Sequence, residues 1–93
     1  MSIFSGCKSY ASKWQVKSVE AIPAEDRSAI KSAHVVNSQY GLSVCFIMKA
    51  GNMFFKSLDE TCSANAGDEV NLETAKVVTL ERQGDADIQK IRI

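Results

Sequence analysis

The stretch HVVNSQYGLSVCFIMKAGNMFFKSL, residues 34–58, constrains the fold more than any other part of the chain. Its β-branched and aromatic side chains favour a pleated, half-buried surface. Lys49-Ala50-Gly51-Asn52 separates two apolar runs and reads as a hairpin turn. The spacing predicts one long strand over residues 34–48 and a second over 53–58. Gly41 lies inside the first run, where a glycine marks a bulge or a strong bend. Unbroken pairing would put Val36, Ser38, Tyr40, Leu42, Val44, Phe46 and Met48 on one face. A break at Gly41 would move Tyr40 to the opposite face from Leu42.

The flanking sequence supplies three further strands. Residues 13–22, KWQVKSVEAI, alternate, with Trp14 and Val16 on one side and Lys13, Gln15 and Lys17 on the other. The phase slips after Ser18, and a bulge there would return Val19 to the face of Val16. Pro23 ends this strand. Residues 23–33, PAEDRSAIKSA, suit one or two helical turns or a loop. Residues 59–68 form a polar crossover. Residues 69–81 read as a strand interrupted near Glu73-Thr74, and Gln83-Gly84-Asp85 turns the chain into a closing strand over 87–93. No segment has the length and periodicity of a long amphipathic helix. The expectation is an all-β chain: a five-stranded small barrel with one short helix or irregular crossover. Closure of such a barrel removes exposed edges. Residues 1–93 read as one domain, with 1–12 as a loose lead-in.

Composition narrows the function classes. The chain has 93 residues, 45% of them hydrophobic, enough for one small core. Formal net charge is zero, which argues against a disordered tail or a strongly basic duplex-binding module. Residues 1–56 carry seven Lys/Arg against three acids, a balance of +4, and residues 57–93 carry four against eight, a balance of −4. Cys7, Cys45 and Cys62 are odd in number and lack CxxC spacing, and His34 is the only histidine. A disulfide framework or zinc site is not expected, nor is any metal or cofactor. Without an apolar run of about 20 residues, the chain reads as soluble and cytoplasmic.

The order of elements resembles the OB-fold and, more loosely, the small single-stranded-DNA-binding proteins of phages and bacteria. The resemblance rests on the glycine-bent strand ending in YGLSVCF, the short hairpin after it, the GDEV step after the crossover and the closing QGDADIQKIRI. It covers residues 13–93. It implies a ligand lying across the second and third strands, residues 34–48 and 53–58, framed by the loops at 23–33 and 82–87. The chain departs from that family in lacking a strong basic balance, and it ends in IRI rather than in an acidic tail.

Single strands are held by stacking on aromatic rings and by cations near the phosphates. Trp14, Tyr40, Phe46, Phe54 and Phe55 are the rings to consider, and some of them are needed for the core. Adjacent Phe54 and Phe55 should point to opposite faces, one into the core and one partly outward. Lys17, Lys31, Lys49 and Lys56 could supply the cations, with Arg27 extending the rim. The nucleic-acid-binding set is therefore Trp14, Lys17, Lys31, Tyr40, Lys49, Phe54, Phe55 and Lys56. No nucleotide, phosphate-loop or hydrolase motif is present, and His34, Asp59, Glu60, Asp85 and Asp87 form no convincing catalytic group, so the chain does not read as an enzyme. The expected function is non-enzymatic binding of single-stranded DNA, or of RNA, with little sequence preference. The alternative is a protein-interaction or scaffolding barrel. A homodimer, or another protein partner, fits either reading.

Overall fold

The computed structural model describes residues 14–84 and 86–93. The expected lead-in over 1–12, including Cys7, lies outside them, as do Lys13 and Asp85. The described residues form β1 (Trp14–Ala21), α1 (Ala24–Ala29), β2 (Ile30–Ser38), β3 (Gly41–Met48), β4 (Met53–Ser57), β5 (Lys76–Arg82) and β6 (Ile88–Arg92). The strands make two antiparallel three-stranded sheets, β1-β5-β6 and β2-β3-β4.

The strand count corrects the expectation of five to six, because the single strand expected over 34–48 is a hairpin. Ser38 pairs with Gly41, Val35 with Val44 and Ala33 with Phe46. Gly41 has φ +91°, a backbone state that L side chains rarely adopt, so the glycine reverses the chain instead of bending it. Ser38 closes the turn. Its hydroxyl donates to the Gly41 carbonyl at 3.1 Å and accepts the Tyr40 N–H at 3.1 Å. β2 also begins earlier than expected, directly after the short helix α1.

The strand expected over 69–81 is reduced to β5, with residues 69–75 joined to a strand only by the Glu69 bridge to His34, and other local signals hold. The register of β1 shifts between Val16 and Ser18, so Val16 lies opposite Leu80 and Val19 opposite Val78. Turns occupy residues 49–50 and 83–84. The crossover after β4 is irregular. It ends in a run that hydrogen-bonds to the free edge of β2: Val35 N–H donates to the Asp68 carbonyl and Val70 N–H to that of Ala33. A turn at residues 72–74 then interrupts the chain before β5, near the expected position.

The core lies between the sheets. Ile22, Ala33, Val35, Val44, Phe46, Leu58, Val70, Ala75 and Ile91 are buried together. The sheets are joined where Leu58 and Ile91 form a parallel bridge. Beyond that bridge β4 and β6 are not paired, so the strands form two joined sheets and not one closed barrel. β3, flanked on both sides, buries Ser43 and Cys45 on one face and Val44 and Phe46 on the other.

The β1-β5-β6 sheet has an unusual polarity. Cross-strand rows Val16–Leu80–Ile88 and Val19–Val78–Lys90 lie on one face, with Trp14 opposite Arg82. The other face carries Ser18–Thr79–Gln89 and Glu20–Val77–Ile91. Only the Val77–Ile91 end of that second face reaches the core. The more apolar face therefore points away from the core, and Val16 on it is 62% exposed. An antiparallel sheet with one solvated face ordinarily shows the reverse pattern.

Candidate ligand-binding surface

The expected site residues divide into separate locations. Tyr40, Phe54, Phe55 and Lys56 come together. With Met53, Ser57 and Gln89 they line a shallow depression of about 370 Å³ along β4. β4 is an edge strand of its sheet, which sets the exposure of these rings. Tyr40, on the β2–β3 turn, is 65% exposed, Phe54 53% and Phe55 42%. Phe54 and Phe55 do point to opposite faces, pairing with Phe46 and Cys45 respectively. The expectation that one of them is a core residue is corrected. Phe54 faces the core side, but the second sheet does not cover it there, so both rings reach solvent.

Lys56 is half-buried and donates from Nζ to Gln89 Oε1 of β6. This contact spans the gap between the sheets just above the Leu58–Ile91 bridge. Lys49 sits exposed on the turn leading into β4, and its N–H donates to the Ala29 carbonyl at 3.0 Å. It flanks the end of β4 without lining the depression.

Trp14, Lys17 and Lys31 are elsewhere. Trp14 begins β1, and the Arg82 guanidinium lies 5.6 Å from its ring centroid, in cation–π range. Lys17 is the extra residue at the β1 bulge, and its ammonium contacts Asp87 at 2.9 Å. That hydrogen bond and the Asp87 charge raise the Lys17 pKa above its usual value. Lys31 lines an open cleft between α1 and residues 69–73, shared with Arg27, Glu69 and Glu73. Phe46 is a core residue.

Asp59 and Cys62 both have local polar partners. Asp59 accepts the Thr61 N–H at 3.2 Å and lies 3.3 Å from Arg92 Nε. The Thr61 backbone bond chiefly, with help from the Thr61 side chain and the Arg92 charge, outweighs burial and holds its carboxyl below the usual range. Cys62 Sγ accepts the Ile93 N–H at 3.4 Å and lies 3.5 Å from the Ile91 carbonyl, a structural role at the chain end. Among the described residues no three His, Cys, Asp or Glu side chains cluster as metal ligands.

Sequence reading missed Met53 and Gln89. Met53 was legible, since it alternates with Phe55 on an edge strand. Gln89 was not, because its place beside Lys56 depends on how the sheets meet. Sequence reading also missed the outward apolar face of β1-β5-β6, although the bulge that aligns Val16 with Val19 announced it. Comparison with protein-family models, curated proteins and solved structures finds no match. Among the described residues no helix is long and apolar enough to cross a membrane.

Proposed function

We propose that the chain binds single-stranded nucleic acid, DNA or RNA, without catalysis, along β4. The observation that carries this reading is the gathering of Tyr40, Phe54, Phe55 and Lys56 around one depression. Exposed rings gathered around one depression give bases stacking surfaces that accept any sequence, and a lysine beside them meets the phosphates. Lys49 extends the cationic side toward the β3–β4 turn. In an OB-like arrangement a ligand crosses the corresponding strands, and the β2-β3-β4 sheet takes that part here. A cytoplasmic location goes with this reading.

The test is fluorescence anisotropy with labelled single-stranded and duplex oligonucleotides at low and high salt. Preference for the single strand, weakening as salt rises, is expected. Tyr40→Ala and Phe55→Ala should each cost about 1–3 kcal/mol of affinity, the range for one stacked base. Absence of binding at low salt, or equal binding of duplex, would overturn the proposal.

A second reading is favoured by the outward face of β1-β5-β6. Val16, Val19 and Ile88 are exposed there in register with Leu80 and Val78. Three of the charges around this face are ion-paired: Lys90 with Glu60, Arg92 with Asp59 and Lys17 with Asp87. A second copy could close on its apolar rows by sheet-on-sheet packing. This is the homodimeric, protein-interaction alternative, and it uses a surface distinct from β4.

A further inference from the structure

A second hollow lies on the inner side of Phe54 and Lys56. It has a volume of about 210 Å³ and opens between the sheets. Phe46 and Phe54 form one wall from the β2-β3-β4 sheet, and Val77 and Ile91 form the other from β5 and β6. Ile22 and Ile30 close the end beside α1. The hollow lies where β4 and β6 are unpaired beyond the Leu58–Ile91 bridge.

The lining is apolar except at the mouth, where Lys56 and Asp26 stand. Dry apolar cavities of roughly 150 Å³ already accept benzene, so this one takes a single ring with a short substituent. The two mouth charges are not equivalent. Asp26 is exposed and stays hydrated. Lys56 is half-buried, its bonded partner is the neutral amide of Gln89, and among the described residues no acid lies within ion-pair distance of it. An ammonium whose bonded partner is neutral gains a charge-assisted hydrogen bond from an anion placed beside it.

We infer that this hollow is a binding site for a small apolar molecule bearing one carboxylate, with its ring between the Phe46–Phe54 wall and the Val77–Ile91 wall and its carboxylate at Lys56. The inference stands apart from nucleic-acid binding, although the two sites share Phe54 and Lys56. Occupancy of the hollow by such a ligand engages the Lys56 ammonium from the inner side and competes with a phosphate on the outer side.

The test is a ¹H–¹⁵N NMR titration of the full chain with phenylacetate, phenylacetamide and phenethylamine. Saturable shifts around Ile22, Phe54, Lys56 and Val77 are expected. Phenylacetate should bind about 10-fold or more tighter than the neutral amide, as one charge-assisted hydrogen bond requires. Lys56→Gln should erase that preference, and Phe54→Ala should weaken all ligands. Neither position is fully buried, so both variants should keep the native amide dispersion. Tyr40 lines the outer depression and not the hollow, so Tyr40→Ala should lower oligonucleotide affinity and leave phenylacetate binding unchanged. No saturable shifts with any probe would overturn the site. Equal or tighter binding of phenethylamine would overturn the carboxylate assignment. Loss of phenylacetate binding in Tyr40→Ala would move the ligand to the outer depression and overturn the placement.

Discussion

Leu58, just past β4, and Ile91 of β6 run parallel and share a bridge, and the Asp59 N–H beside them donates to the Ile91 carbonyl at 2.7 Å. This junction ties the two sheets. It also explains both hollows, since the strands diverge from it and leave Phe54 and Lys56 between two open spaces. The Ile91 side chain is fully buried at the same point.

Ile91→Ala should therefore be among the more damaging core truncations. It removes apolar volume at a junction held by few backbone contacts. The expected loss is about 2–5 kcal/mol. Urea denaturation followed by far-UV circular dichroism measures it, and a loss well below that range would show that the sheets hold together without this side chain.

Gly41→Ala tests the hairpin that divides residues 30–48 into two strands. No atom outside its chain neighbours lies within 4 Å of a Cβ built there, so the effect isolates the backbone. At φ +91° an alanine is strained, and the expected cost is about 1–2 kcal/mol. A neutral result in chemical denaturation would mean that the turn relaxes to another type.

Val16→Lys and Ile88→Lys address the outward face of β1-β5-β6. Both positions are exposed, so stability measured at low concentration should change by no more than about 0.5 kcal/mol. If two copies close on this face, the native chain shows concentration-dependent mass by sedimentation equilibrium and each variant is monomeric. A native chain that stays monomeric at the highest concentrations removes the second reading.

Asp59 gives a pH signature. Its carboxyl titrates below the usual carboxylate range in the folded chain because the Thr61 N–H and the Arg92 charge favour the ionised form. The unfolded state therefore binds the proton more readily. The stabilisation is fully present above the unfolded pKa of about 3.9 and is lost as pH falls through the lower folded value. Urea midpoints measured from neutral pH downward should fall more steeply for the native chain than for Asp59→Asn, which cannot titrate. Parallel acid limbs would count against the assignment.

Much of the local structure was legible from residue chemistry. The bulge after Val16 followed from the slip in alternation, since only an extra residue returns Val19 to the face of Val16. The turns at 49–50 and 83–84 followed from Gly-Asn and Gln-Gly punctuation. The opposed directions of Phe54 and Phe55 followed from the period of a strand. The hairpin at Tyr40-Gly41 was misread as a bend, because a lone glycine after Gln39-Tyr40 fits either outcome. What settled it was a hydroxyl, that of Ser38, bonding across the turn.

The candidate surface was half legible. Residue types picked out Tyr40, Phe54, Phe55 and Lys56, but in one set with Trp14, Lys17, Lys31 and Lys49, and only the fold gathers the first four around one depression. Exposure too depends on which strands lie beside a given strand. Alternation could not show that β4 is an edge strand, that β6 leaves it after one bridge, or that Trp14 and Lys17 lie on the other sheet. These facts come from contacts between residues far apart in the chain, such as Leu58 with Ile91 and Lys56 with Gln89. Such contacts form only when the sheets bury Phe46, Val44 and Ile91 against one another, so tertiary packing alone decides which rings reach solvent and where the hollows open.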